Sequence, residues 1–96
     1  MGLNDKATKH QEIDTVTAYK LVMQSVIGCG YEGASVSECT GFYTHQDGQF
    51  TIEKSLRIEI LFASDKNTLQ LVEELKKLFN QESIALQTES IESKLV

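Results

Sequence analysis

The first helical pattern lies near the N-terminus. Apolar residues recur there at steps of three and four, which places them on one face of a helix. The pattern predicts a helix over about residues 15–28, capped at its start by Asp14 or Thr15 and ended by Gly28 and Gly30. The stripe consists of Ile13, Val16, Tyr19, Val22, Met23, Val26 and Ile27.

A second helical pattern follows further along the chain. Its apolar residues recur at steps of one, three and four and predict a helix over about residues 67–79. Polar residues 64–67 offer several N-cap candidates, and Lys76 and Lys77 suit the carbonyl end of the helix dipole. The stripe consists of Leu71, Val72, Leu75, Leu78 and Phe79.

The pattern changes to a period of two in three other segments, which is typical of strands. Residues 34–43 and 52–62 alternate in this way, and Asp47 and Gly48 between them suit a tight turn because glycine tolerates positive φ. The second of these strands is the more regular and is expected to be central in the sheet. A last strand is predicted over residues 84–89.

Glu38 breaks the apolar pattern of the first strand. It shares a face with Val36 and Phe42 if the alternation is strict. Either Glu38 lies at the edge of that face with a partner, or the strand has a bulge at Gly41 that changes the alternation. We predict the bulge.

The order of these elements is helix, strand, strand, helix, strand. It predicts the α+β class, as a ferredoxin-like two-layer sandwich with two helices on one face of an antiparallel sheet. That arrangement has a strand before the first helix, and residues 1–3 are long enough only for a stub. We therefore expect either a reduced sheet or a second subunit that covers the exposed edge. The predicted core comprises Val22, Val26, Leu56, Ile58, Ile60, Val72, Leu75 and Phe79.

Length and charge limit the class of partner. The chain has 96 residues, expected to form one domain over 1–96 with a polar segment at 1–12 and a tail at 92–96. Nine Lys and Arg stand against fourteen Asp and Glu, so the formal net charge is -5 and we expect no nucleic-acid partner. No run of about 20 apolar residues and no export signal occurs, so we expect no membrane partner and a cytoplasmic location.

Three short segments resemble a known group of proteins. They are Gly2-Leu3-Asn4-Asp5-Lys6, Tyr43-Thr44-His45-Gln46-Asp47-Gly48 and Phe79-Asn80-Gln81-Glu82-Ser83. As a set they are similar to small, uncharacterised ferredoxin-like proteins of phages and Gram-positive bacteria. The resemblance covers nearly the whole chain and implies a phage- or mobile-element-associated protein, with no activity attached. The predicted topology also resembles PII-like nitrogen-regulatory and CutA-like trimers at the level of fold alone, so no binding residue is carried over.

Six polar residues are candidates for a ligand or partner site. Those that follow the second helix either cap its free carbonyls, which we favour, or contact a polar ligand beside the hairpin residues. The six are Tyr43, His45, Arg57, Asn80, Gln81 and Glu82. Cys29 and Cys39 match no metal or redox spacing, and no Cys/His cluster surrounds either histidine, so no metal site and no cofactor is predicted. No nucleophile with its base and no phosphate loop occurs, so we expect no enzymatic activity.

Two hypotheses of function follow. The leading one is a small interaction or accessory protein that acts through self-association and through binding of a host or phage protein. A dimer is expected first and a trimer next, because identical edges most often meet in closed two-fold pairs. The alternative is a PII-like regulatory protein that binds a small molecule such as a nucleotide at a subunit interface. The scarcity of basic residues in the loops weighs against a phosphate ligand.

Overall fold

The chain folds into two helices and one β-hairpin. A computed structural model describes residues 1–44, 46–61 and 63–88. Helix α1 is Thr15–Gly28, strands β1 and β2 are Ser35–Thr44 and Phe50–Glu59, and helix α2 is Asp65–Leu78. The predicted α+β class is confirmed. Among the described residues, neither helix has the length and apolar run that a membrane crossing needs.

Both helices begin where a side chain satisfies a free backbone amide. The Asp14 carboxylate accepts a hydrogen bond from the Thr17 N–H at 2.9 Å, and Ser64 Oγ accepts one from the Asn67 N–H at 3.4 Å. Beyond the end of α2, Asn80 has a φ of 46°, a left-handed conformation that asparagine tolerates after a helix. Both predicted helices are confirmed, with α2 beginning two residues earlier than expected.

The two strands pair antiparallel along their full length, as the hairpin pattern predicts. At the turn Gly48 has a φ of 85°, and the Asp47 carboxylate accepts the Gln49 N–H at 3.0 Å. The Asp47-Gly48 turn is therefore confirmed. Strand β2 ends at Glu59, earlier than predicted, and Phe62 lies outside the described residues.

The predicted bulge at Gly41 is wrong. Gly41 lies directly opposite Glu53 in a continuous ladder, so the alternation of faces runs through it unchanged. Glu38 therefore does share the apolar face, where its Oε1 is 3.9 Å from Lys54 Nζ on the neighbouring strand. Both side chains are about half exposed, so the carboxylate keeps its hydration and needs no bulge to escape burial.

One face of the hairpin packs against both helices. Leu56 lies at the centre of this contact and is 0% exposed. Of the predicted core, Ile58, Ile60 and Val72 are half-buried and the remainder is confirmed as buried. The buried cluster consists of Leu3, Ala18, Val22, Val26, Cys29, Leu56, Leu71, Leu75 and Phe79.

The N-terminal residues run along the side of β2 that faces away from β1. Gly2 forms an antiparallel bridge with Ser55, and the Leu56 N–H donates to the Met1 carbonyl at 2.8 Å. Leu3, next in the segment, is buried in the core. The expected stub is thus present, and it bonds to the outer edge of β2 at Lys54 and Leu56.

The predicted last strand is wrong. Residues 84–88 form no strand, and Glu89 lies outside the described residues. The stub offers such a strand little edge, because the Asn4 N–H is bonded to Glu53 Oε2 at 3.0 Å and Gln11 forms an antiparallel bridge with Asn4. With these positions occupied, too few backbone groups remain to support a further ladder.

Two leucines of α2 provide a test of this packing. Leu75 is 2% exposed, whereas Leu78, three residues later, is 41% exposed. We expect Leu75→Ala to lower the free energy of unfolding by about 2–5 kcal/mol because it leaves a cavity, and Leu78→Ala to lower it by less than about half as much. Urea denaturation followed by circular dichroism measures both variants. Equal losses would mean that α2 presents a different face to the sheet.

Candidate functional site

The hairpin is longer than the helices that cover it. Each strand has ten residues and spans about 33 Å, whereas the fourteen residues of each helix span about 21 Å. The helices cover the Leu56 end of the face, and the turn end of the hairpin projects beyond them. This projecting part, residues 40–44 and 46–53, is the arm. The molecule is accordingly elongated, at 47 × 25 × 22 Å.

Three large apolar side chains lie uncovered on the arm. Phe42, Phe50 and Ile52 are 72%, 59% and 63% exposed, and they share the face of Leu56 because the ladder alternates without a break. Phe42 lies opposite Ile52, and its ring centroid is 5.9 Å from that of Phe50. We call these three residues the arm patch. A contiguous exposed apolar patch of this kind normally indicates an interaction surface.

The outer edge of β1 is open. Within the described ranges β1 pairs with β2 alone, and the N-terminal stub lies on the far side of β2. The ten residues of β1 include one charged side chain, Glu38, and no proline. Charges, prolines and bulges are the features that usually block edge pairing, so this edge is competent to pair with another strand.

Helix α1 also exposes apolar side chains. Val16, Met23 and Ile27 are 66%, 49% and 65% exposed, so the apolar stripe predicted for α1 is only partly buried. Two small side chains take inward positions in their place, and one of them, Ser25, lies 3.4 Å from a carboxylate oxygen of Glu74 on α2. The α1 residues that are buried are Ala18, Val22, Ser25 and Val26.

A polar cleft of about 670 Å³ lies where the N-terminal segment, the hairpin turn and the residues after α2 meet. Four acidic residues line it against two lysines, so its charge does not suit a phosphate ligand. The acids are Asp5, Asp47, Glu53 and Glu82, and the lysines are Lys6 and Lys9. In the part of the chain that the structure describes, no group of three or more His, Cys, Asp or Glu side chains is arranged to hold a metal ion.

Asn80 and Gln81 tie the end of α2 to the N-terminal segment at this cleft. Asn80 Nδ2 donates to Asp5 Oδ2 at 3.0 Å, and Gln81 Nε2 donates to the Asn4 carbonyl at 2.7 Å. The backbone closes the end of the helix, because the Gln81 N–H donates to the Lys76 carbonyl at 2.9 Å. The side-chain capping favoured from the sequence is seen in Gln81 Nε2, which also donates to the Phe79 carbonyl at 3.3 Å. The tie itself was not predicted, because its partners are 75 and 77 positions apart in the chain.

Of the other candidate residues that the structure describes, Arg57 does not line this cleft. Arg57 is exposed, forms an ion pair with Glu59 at 2.9 Å, and lies roughly 20 Å along the hairpin from the backbone position of Tyr43. Glu82 is exposed at the cleft. His45 and the side chain of Tyr43 lie outside the described residues. Arg57 and the backbone of Tyr43 are therefore far apart on the hairpin, and Gln81 and Glu82 line the cleft without Arg57.

The two cysteines are free thiols in different surroundings. Cys29 is buried, and its Sγ lies 3.5 Å from Glu74 Oε2. Burial, and then the Glu74 carboxylate, raise the pKa of the Cys29 thiol, which keeps it protonated and unreactive at neutral pH. Cys39 is exposed on β1.

The difference between the thiols predicts selective alkylation. In the native protein at neutral pH we expect iodoacetamide to modify Cys39 and to leave Cys29 unmodified, because Cys29 is only 5% exposed. After unfolding in urea, both thiols should react. Mass spectrometry of the proteolytic peptides gives the extent at each position, and equal labelling of both thiols in the native state would contradict the burial of Cys29.

The tie at the cleft predicts a dependence of stability on pH. The Asn80 side chain, and then the backbone N–H groups of Thr8 and Ala7, hold the pKa of Asp5 below its ordinary range. Because the folded pKa lies below the unfolded one, the stabilisation is complete above about pH 4 and is lost as the pH falls through the folded value. We expect Asp5→Asn to be less stable than the wild type at neutral pH, with a difference that shrinks in acid.

Thermal unfolding of the wild type and the variant across this pH range measures the difference. Glu12→Gln is the matched control, since Glu12 is an exposed carboxylate of the same N-terminal segment. A stability difference for Asp5→Asn that stays constant down to acid pH would show that the carboxylate charge is not what the tie depends on.

The chain has no detected similarity to a known protein, so its proposed function depends on the geometry described above. No family model matches the chain, and searches of curated proteins and of solved structures find no match.

Proposed function

We propose that this protein is a small, non-enzymatic interaction domain that self-associates through the arm and the open edge of β1. The observation that carries the proposal is the arm patch, in which Phe42, Phe50 and Ile52 are each more than half exposed beside a strand edge that pairs with nothing further among the described residues. A strand edge that can accept a further strand and an apolar face that a partner can cover therefore occur on the same hairpin.

The energetics favour such a contact. Full burial of a large apolar side chain contributes about 1.5–3 kcal/mol, so covering three of them offsets a large part of the cost of association. Backbone pairing along β1 satisfies further N–H and C=O groups that water alone would otherwise solvate. A domain of this size has a small core of its own, which makes an additional apolar interface valuable for stability.

The polar cleft gives weaker support to nucleotide binding than the arm patch gives to self-association. Its four acidic side chains outnumber its two lysines, and an anionic ligand would meet net negative charge there. The cleft's closest contacts, those of Asp5 with Asn80 and of Asn4 with Gln81, hold two chain segments together. We therefore assign the cleft a structural role and rank the PII-like hypothesis second.

The antiparallel bridge between Gly2 and Ser55 supports assignment to the ferredoxin-like class. In the split βαβ arrangement the first strand lies beside the third, which is the position that the stub takes beside β2. The phage-associated group that the sequence resembles has this fold, and a host or phage protein is the second partner we propose. The exposed stripe of Val16, Met23 and Ile27 on α1 is the surface available to it.

Replacement of the arm patch tests self-association. We expect the double variant Phe42→Thr, Ile52→Thr to sediment as a monomer at concentrations where the wild type has twice the 10.7 kDa mass of one chain, because the apolar contribution is lost. Threonine retains strand propensity, so the hairpin should still form. Analytical ultracentrifugation measures the mass, and circular dichroism checks the fold.

Arg57→Thr is the matched control, because Arg57 is exposed on the opposite face of the same hairpin. It should leave the association unchanged. A wild type that stays monomeric over the whole concentration range, or an arm variant that associates as strongly as the wild type, would contradict the proposal.

A further inference from the structure

The open edge of β1 restricts how a second copy can pair with it. Two identical edges that meet in a closed dimer are related by a two-fold axis, and across it the strands run antiparallel. Directly opposite residues of an antiparallel pair point to the same face, so they must both be odd or both be even in number. When a strand pairs antiparallel with its own copy, the residue numbers of every opposite pair have the same sum. Because that sum is even, the residue with half that number lies on the two-fold axis, directly opposite its own copy.

Strand length narrows the choice of that residue. Strand β1 covers residues 35–44, so an axis at Cys39 pairs the nine residues 35–43 and an axis at Thr40 pairs the nine residues 36–44. An axis at Glu38 pairs 35–41 and one at Gly41 pairs 38–44, which is seven residues in each case. The two central registers therefore pair the most residues of the strand.

Side-chain chemistry separates these two registers. An axis at Thr40 would place Glu38 opposite the partner's Phe42, which sets a carboxylate against an aromatic ring. An axis at Cys39 places Glu38 opposite the partner's Thr40, and Phe42 opposite the partner's Val36. Phe42 is 72% exposed and Val36 packs against the core, so this register extends the apolar face of one copy onto the arm of the other.

We propose that the partner of the β1 edge is a second copy of this chain, paired antiparallel with Cys39 directly opposite the partner's Cys39 on the two-fold axis. This inference deepens the proposed self-association and rests on it. The projecting arm of each copy then lies beside the core end of the other, so the open edge and the uncovered arm patch are both accommodated by one contact. Directly opposite Glu38 across the axis is the partner's Thr40, which is neutral. The partner's Glu38 lies diagonally on the same face, about 7–8 Å away, and each Glu38 has its own ion pair with Lys54.

The native Cys39 thiol reports on the register. Directly opposite residues have Cβ atoms about 4.5–5.5 Å apart, close to the separation that a disulfide requires. We expect oxidised glutathione, which is reduced as the two thiols are oxidised, to link two chains through Cys39 at concentrations where ultracentrifugation shows a dimer. Non-reducing electrophoresis follows the rate, and mass spectrometry of the linked peptides identifies the bond.

Two variants in a Cys39→Ser background provide the matched controls. Ser37→Cys keeps an exposed thiol on the same face, four residues along the strand from its own copy in the proposed register, and Thr40→Cys reports the competing axis. Each should link more slowly than the native thiol, by about tenfold or more, because its sulfur atoms are too far apart for a disulfide. The Cys39→Ser protein should remain a dimer and form no link.

The outcomes distinguish the register from the association itself. A dimer in which Thr40→Cys links fastest would overturn the Cys39 axis while self-association stands. A dimer in which Cys39 links no faster than Ser37→Cys would place the contact elsewhere than at the paired edges. A wild type that is monomeric at every concentration would remove both the register and the proposed function.

Discussion

The difference in length between the strands and the helices determines the shape of this molecule. Ten residues of extended chain reach about 12 Å further than fourteen residues of helix, so two helices of this size cannot cover the whole hairpin. The core therefore gathers around Leu56 at one end. Towards the turn the same face passes through the polar pair Thr40 and Lys54 to the arm patch, and nothing within the described residues covers that patch.

The two edges of the hairpin differ in which chain segments bond to them. The stub bonds to the outer edge of β2 at Lys54 and Leu56, and it is held there by this backbone pairing, by the Glu53 carboxylate on the Asn4 N–H and by the tie from Asn80 to Asp5. These contacts join the beginning of the described chain to the end of α2, so closure of the β2 edge depends on residues far apart in sequence. No comparable segment among residues 1–44, 46–61 and 63–88 pairs with the outer edge of β1, so we regard this edge as the side of the sheet available to a partner.

Local patterns in the sequence predicted what depends on local chemistry. The helix over 15–28, the Asp14 cap and the Asp47-Gly48 turn follow from spacing and from the preferences of single residues. The strand predicted over 84–89, whose described residues 84–88 form none, and the bulge at Gly41 were wrong because pairing depends on which edges remain free and on solvent access. Alternation encodes neither. The exposure of the arm patch was missed for the same kind of reason, although strand and helix lengths read from the sequence already contain the mismatch. Arg57 and Asn80 looked alike as polar candidates, yet the fold separates them.

Net charge sets a final constraint on any contact between copies. A chain with a formal charge of -5 repels its own copies, and that repulsion is screened only beyond about 8 Å at physiological ionic strength. Association is therefore favoured where the surface is locally neutral. Strand β1 has one charge, on Glu38, and Lys54 lies beside it, while the charges of β2 cancel between two acids and two bases. The acidic residues of the cleft lie around the stub and the hairpin turn instead. The edge of β1, which has no further strand within the described residues, thus belongs to a hairpin whose strands have little net charge in an acidic protein. Two like-charged copies can approach at least cost there.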